Sequence, residues 1–283
     1  MKISDAITSA AEQFEVAGIE SAIADAEILA SFVLEISRGQ VQVKAFSGES
    51  FTDVQARNFN DFVSKRAERF PLQHITGFAY FRQLELQVGP GVFVPRFETE
   101  GVTQLAIDAL KAIPSPRPIA VDLATGSGAI ALSLAVEVPT AKVFAIELSE
   151  DALEYTRRNF AKYAPDAVLV KGDLVEAFPE LDGTVDVVIS NPPYIPDEMI
   201  PIYPEVYLHD PALALYGGVD GLDLVRKVDV SAKRLLHPGG TLVVEHADSQ
   251  GEAIRQLLLA SGWRQVVTHK DLTGRDRSTT AIR

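Results

Sequence analysis

The chain contains no cysteine, one tryptophan and two methionines among its 283 residues. Without a thiol it can form no disulfide, no thiolate nucleophile and no cysteine-ligated metal site. Its five histidines, His74, His209, His237, His246 and His269, lie scattered without metal-ligand spacing, so no metal is expected. No apolar run reaches the ~18 residues of a membrane span, and Met1-Lys2-Ile3-Ser4-Asp5 lacks the basic start and apolar stretch of a secretory leader. The expectation is a cytoplasmic chain with no membrane contact. Positive charge is scarce as well. Against 39 Asp and Glu stand 26 Lys and Arg, a net charge of −13, which argues against a protein that binds by neutralising phosphates. No direct nucleic-acid substrate is expected.

What is present describes a globular protein. Hydrophobic residues make up 47% and charged residues 23%, enough for a core and without the bias of a disordered chain. The length suits a small domain joined to a nucleotide-sized one. In the first part, Ile3, Ala6, Ile7, Ala10, Ala11 and Phe14 recur at helical spacing, and Gly18 closes the pattern. A second helix is read over about Ala22 to Ile36. A third runs from about Asp53 to Phe70, with Phe59, Phe62, Val63 and Arg66 on adjoining turns and Pro71 as its stop. From Gly77 to Val94 the pattern alternates, with Phe81, Leu84, Leu86 and Val88 among polar residues and Gly89-Pro90-Gly91 supplying a turn, as in a β-hairpin. The reading is a helical domain over 1–72, a hairpin linker over 73–97 and a larger domain over 98–283.

After a helix near Thr99 to Ala112 and the helix-incompatible Pro114-Ser115-Pro116-Arg117-Pro118, short apolar stretches alternate with helical ones. The strands are read at Ile119 to Leu123, Lys142 to Ile146, Ala167 to Val170, Val185 to Ser190, Thr241 to Glu245, Trp263 to Thr268 and Thr279 to Ile282. Such alternation predicts an α/β fold, a doubly wound, mainly parallel sheet covered by helices on both faces, with ligands at the carboxyl ends of the strands.

The first such end carries Ala124-Thr125-Gly126-Ser127-Gly128 before a helical Ala129 to Val136. Glycines allow a tight turn and close approach to a ligand, and the helix start offers unpaired N–H groups. Glu147 ends the second strand, where an acid can accept from both hydroxyls of a ribose. These features suit a dinucleotide or an adenosyl cofactor. The three-glycine dinucleotide fingerprint is incomplete, which turns the choice towards S-adenosyl-L-methionine. Directly after the strand ending at Ser190 comes Asn191-Pro192-Pro193-Tyr194. Two prolines stiffen the loop and free backbone carbonyls, Asn191 both accepts and donates, and Tyr194 offers a flat face. Together they form a receptor for a planar –NH₂ group such as a carboxamide or an adenine amine. Holding that nitrogen's hydrogens on acceptors, in line with a sulfonium methyl, is a route to transfer without a strong base.

At these residues the sequence resembles the peptide chain release factor glutamine N(5)-methyltransferase family. The likeness also takes in Pro71-Leu72-Gln73-His74-Ile75-Thr76-Gly77, Val94-Pro95-Arg96-Phe97-Glu98-Thr99-Glu100, His209 through Gly221, Leu236-His237-Pro238-Gly239-Gly240, Glu245-His246 and Asp271 through Arg277. The resemblance implies a seven-stranded, Rossmann-like methyltransferase sheet, methylation of the glutamine in the Gly-Gly-Gln loop of class I release factors, and a helical domain that helps to dock them. It places cofactor contacts on Ala124, Thr125, Gly126, Ser127, Gly128, Glu147, Asp173, Leu174 and Asn191, substrate contacts on Asn191, Pro192, Pro193 and Tyr194, and catalysis on Asn191, Pro192 and Tyr194. Ala124 stands where the family commonly has glycine, Glu147 where it has aspartate and Phe97 where it has proline. Arg96, Glu98 and Glu100 could shape a pocket or act as solvated and capping charges before a helix. Because Asn-Pro-Pro-Tyr also occurs in adenine-amino methyltransferases, a nucleic-acid enzyme is the competing reading, disfavoured by the net charge.

Overall fold

The computed structural model describes residues 1–283 as two compact units. The first begins with α1 (Ile3–Val16), whose apolar stripe of Ile3, Ala6, Ile7, Ala10, Ala11 and Phe14 is buried throughout. Then follow α2 (Ala22–Leu34), α3 (Arg38–Phe46), α4 (Asp53–Ala67) and the short α5 (Leu72–Thr76). Two of these starts are fixed by reciprocal capping, Ser37 with Gln40 on α3 and Thr52 with Gln55 on α4. Each pair satisfies two backbone donors that a helix start leaves open. Around Phe14, Leu29, Val41 and Phe59 the helices close a core of their own. The third expected helix ends at Ala67 rather than Phe70, because Arg69 turns left-handed at φ 69°.

The second unit opens with β1 (Phe78–Phe81) and β2 (Leu84–Gln87), an antiparallel pair. Its reversal falls at Arg82, with φ 51°, and Gln83, while Gly89 to Val92 makes a separate turn closed by Val92 N–H donating to the Gly89 carbonyl. The hairpin is docked in this unit rather than free: the Asn159 side chain bonds both the N–H and the carbonyl of Gln87, and Tyr163 does the same for Glu85.

Next come α6 (Phe97–Ala112), β3 (Ile119–Leu123), α7 (Ala129–Glu137), β4 (Lys142–Glu147), α8 (Glu150–Tyr163), β5 (Val168–Lys171) and β6 (Val185–Ser190). After α9 (Pro204–His209), α10 (Asp223–Leu235), β7 (Leu236–Glu245), α11 (Gly251–Ala260), β8 (Arg264–Lys270) and β9 (Asp276–Ile282) complete the chain. Seven strands form one sheet in the order β5-β4-β3-β6-β7-β9-β8. The first five are parallel; β9 runs antiparallel to both β7 and β8. Alternate strand residues feed two cores, Val121, Leu123 and Val188 on one face and Ala120, Val187 and Ile189 on the other. Both faces are therefore apolar, as a helix-covered parallel sheet requires. Strand order reverses between β3 and β6, so the crevice at their carboxyl ends is the expected place for a ligand.

Residues Ile202–His209, which hold α9, belong to the helical unit, although the chain on both sides of them belongs to the sheet unit. Within the helical unit Glu205 accepts from Arg66 Nη1 at 2.8 Å and Arg69 Nη2 at 2.5 Å, Arg66 Nε donates to Asp25 at 2.8 Å, and the His209 ring lies 4.1 Å from that of Phe70.

Candidate active site

The β3–α7 loop owes its shape to left-handed residues at Ala124 (φ 64°), Gly126 (φ 56°) and Gly128 (φ 87°). Ala124 adopts this conformation despite its Cβ, at a cost that a glycine would not carry. A web of bonds holds the loop. Thr125 N–H donates to the Ile146 carbonyl at 3.0 Å and its hydroxyl to Asp122 Oδ2 at 2.5 Å. Thr156 donates to the Gly126 carbonyl at 2.5 Å, and Asn159 to the Ser127 carbonyl at 2.9 Å. Asp122, not singled out by sequence, also accepts from Ala131 N–H at 3.1 Å. Burial drives its carboxyl up to about 7 against these bonds.

Glu147 is buried, with Oε2 accepting from Gly126 N–H at 2.7 Å and Oε1 from Ser149 N–H at 2.8 Å. Burial raises its carboxyl above the ordinary range while these N–H donors oppose the rise. An ionised carboxylate has about four acceptor positions, so these backbone donors leave room for a sugar hydroxyl. Beside it a cavity of about 250 Å³ is lined by Ile146, Val170, Gly172, Asp173 and Phe178 among others. Asp173 caps the turn Leu174–Glu176 through Val175 N–H at 3.0 Å, a bond that lowers its carboxyl. Leu174 instead packs in the sheet core with Val228 and Ala232, and does not line that cavity.

Asn191 follows β6 on the other side of β3 from β4. Its Nδ2 points at Thr99 Oγ1 of α6, 3.4 Å away. Pro192 is buried, Pro193 and Tyr194 half-buried. The loop is anchored behind: Gln250 Nε2 donates to the Tyr194 carbonyl at 2.8 Å, and Ile195 bridges to Tyr216. Gly217 and Gly221 are there because a Cβ would stand 2.6 Å from the Pro193 oxygen and 2.3 Å from that of Tyr194, closer than atoms pack. Burial keeps the Tyr194 phenol protonated.

The charged run before α6 divides in purpose. Arg96 pairs with Asp210 at 2.7 Å and lies 4.8 Å from the centre of the Phe93 ring. Glu100 accepts from Arg82 N–H at 3.0 Å, holding the hairpin reversal, while Glu98 and Phe97 are exposed. Three residues of the site escaped the sequence reading. Thr99 and Glu245 lie against Asn191, and Gln250 lies behind the loop. Thr99 and Glu245 stand in runs that the family resemblance covers, but their partners are remote in sequence, so nothing local tied either of them to Asn191.

A doubly wound sheet with this glycine loop, an acid closing the next strand and an Asn-Pro-Pro-Tyr loop at the switch point defines a methyltransferase of Rossmann-like fold. A methyltransferase from Pyrococcus furiosus shares the fold, with a TM-score of 0.51 and 23% identity over 70% of this chain and 88% of that one. Residues 5–77 match the PrmC N-terminal domain and residues 83–200 the methyltransferase small domain. The release factor glutamine methyltransferase of Streptomyces coelicolor is 50% identical over 97% of this chain and 96% of its own. That of Bifidobacterium longum is 43% identical over the full length of both. The chain belongs to the release factor glutamine methyltransferase family.

Proposed function

We infer that this enzyme moves the methyl group of S-adenosyl-L-methionine to the side-chain amide nitrogen of the glutamine in the Gly-Gly-Gln loop of class I release factors, leaving S-adenosyl-L-homocysteine. The observation that carries the reading is the Asn191 to Tyr194 loop, stiffened by two prolines and anchored from behind, beside the left-handed glycine loop at the sheet's switch point.

The cofactor fits the residues on hand. Above Gly126 an added Cβ would meet no protein atom within 4 Å, so the loop can approach a ligand through its backbone. Ala124 to Gly128 would hold the methionine part, Glu147 the ribose, and the cavity beside Asp173 the adenine. The bound cofactor supplies an electrophilic methyl on a sulfonium sulfur.

An amide nitrogen is a poor nucleophile because its lone pair is delocalised. The Asn191 Oδ1 and the Pro192 carbonyl are assigned as acceptors of its two hydrogens, since the Tyr194 carbonyl is already engaged by Gln250. With the cofactor bound, Asn191 and Pro192 would hold the nitrogen in place to accept the methyl it supplies, the S–CH₃ bond giving way to an N–CH₃ bond and one amide proton passing to water. Partial positive charge on the nitrogen strengthens both hydrogen bonds as the transition state is approached, which is where catalysis gains. The neutral phenol of Tyr194 offers its ring as a wall for the flat amide.

The helical unit is assigned the added surface that protein recognition needs. Incubation with radiolabelled cofactor and purified release factors, followed by peptide mapping, tests the reading. Label on the glutamine of the Gly-Gly-Gln loop is expected, and label on nucleic acid instead would overturn it.

A further inference from the structure

Glu245 ends β7, the strand paired with β6, and in that register Ser190 faces Val244. The carboxylate therefore comes to lie beside Asn191. It is 1% exposed, its Oε2 has no partner among the protein's atoms, and the side chains of Thr99 and Asn191 act on it in the sense of donors, lowering its carboxyl against the effect of burial. Arg277 and Glu98 are the other charged groups that act on it, with opposite sign. A buried carboxylate with an unmet oxygen costs stability, typically ~1–3 kcal/mol or more, and an apolar residue would fill the same place without that cost. Costly groups of this kind persist where they serve a site.

We propose that Glu245 is a positioning residue that fixes which way the Asn191 amide faces, rather than a structural acid. An ionised carboxylate only accepts. Thr99, buried in the first turn of α6, receives from Asn191 Nδ2 at 3.4 Å and has its own hydrogen to give to Glu245. With both groups accepting on that side, the Asn191 NH₂ turns towards them and Oδ1 is left for the cleft. In the reverse orientation Oδ1 would face a carboxylate and a Thr99 oxygen whose one hydrogen is already given to Glu245. Glu245 thus supplies the orientation that lets a substrate amide, a donor of two hydrogens, be received. It also selects against a substrate group that presents only an acceptor. This rests on the reading of Asn191 as the receptor for the substrate nitrogen.

Glu245→Gln is the test, because glutamine keeps the shape but can turn either its oxygen or its NH₂ towards Thr99 and Asn191. Single-turnover transfer to release factor would be measured at pH 8, where the carboxyl, raised by burial to about 7, is ionised. A roughly tenfold fall in rate at saturating substrates is expected, since misplacing a catalytic group by about an ångström costs up to 10²-fold, with cofactor affinity unchanged. In an Asn191→Ala background the same change should cost less than about twofold, because a residue acting through Asn191 has nothing left to position. Full-rate transfer by Glu245→Gln, or an equal loss in both backgrounds, overturns the proposal while leaving the Asn191 reading intact. Failure of the Asn191 reading has its own signature, normal transfer by Asn191→Ala alone. If Glu245→Gln does not fold, Thr99→Val, which removes the intervening hydroxyl with little change of volume, is put through the same cycle and judged by the same outcomes.

Discussion

Replacing Gly126 separates the backbone role of the glycine loop from its ligand role. At φ 56° an alanine is strained by ~1–2 kcal/mol, as Ala124 already is at φ 64° two residues earlier. Its Cβ would touch nothing in the protein within 4 Å, so strain is the whole expected cost to the fold. At roughly 2–4 °C for each kcal/mol in a protein of this size, the melting temperature should fall by only a few degrees. Gly128→Ala is the control for crowding. There a Cβ would stand 2.9 Å from Phe160 and 3.3 Å from Leu132, adding ~1–3 kcal/mol of overpacking to a similar strain. Stability should therefore rank Gly126→Ala above Gly128→Ala. Cofactor affinity discriminates differently. The open space above Gly126 is where the methionine part of the cofactor is placed, so a methyl there should weaken binding at least about tenfold, or about 1.4 kcal/mol, and the branched side chain of valine should weaken it further. Isothermal calorimetry with S-adenosyl-L-homocysteine, alongside melting curves, reads both quantities. A folded Gly126→Val protein that binds with unchanged affinity would remove this loop from the cofactor site.

Four further outcomes follow from the geometry. Asn191→Ala should slow single-turnover methyl transfer by roughly 10²–10³ while cofactor affinity falls much less; Asn191→Asp, which retains an accepting oxygen, should be milder. Loss of stability and cofactor binding together in both variants would mean that Asn191 only shapes the turn. A chain shortened to begin at Pro71 should bind cofactor by calorimetry but methylate release factor poorly, and a full rate would give the helical unit some other role. Arg66→Ala strands Asp25, buried with it, and should destabilise the helical unit by roughly 3–5 kcal/mol, seen in its circular dichroism melt. For pH, Glu245 rises in the folded protein from an ordinary 4.5 to about 7. Its contribution to stability is therefore full below the unfolded value and is lost as pH rises through about 7, by up to about 3 kcal/mol. Denaturant titrations from pH 4 to 8 should show Glu245→Gln with the flatter profile, and parallel profiles would contradict this account.

Much of this architecture was written in local pattern. The seven strands could be placed from apolar runs broken by turn residues, and α1 from the stripe of Ile3 through Phe14, because both are dictated by neighbours in sequence. The helix Arg38–Phe46 was missed because its apolar residues are few, with only Val41 buried; its one clear signal was the Ser37-x-x-Gln40 cap. The hairpin reversal was read at Gly89 to Gly91, yet the chain turns at Arg82, a left-handed arginine held by Glu100 and Glu137, which no turn composition announces. In the site, Asn191 and its prolines are legible as a motif. Thr99 stands in a run that the resemblance covers, but the meeting of its hydroxyl with Asn191 from 92 positions away becomes visible only when α6, β6 and β7 stand side by side.

The return of Ile202–His209 to the helical unit has a consequence for how the protein comes apart. The chain passes between the two units three times, after Gly77, after Pro201 and after His209. A protease that nicked it once near Gly77 would free the N-terminal fragment only in the covalent sense. That fragment would still hold the eight-residue return through Arg66, Arg69 and Phe70, which grip Glu205 and His209. Separately expressed halves divided at that junction are thus suited to reassemble by complementation, with α9 serving as the docking peptide for its own missing N-terminal helices.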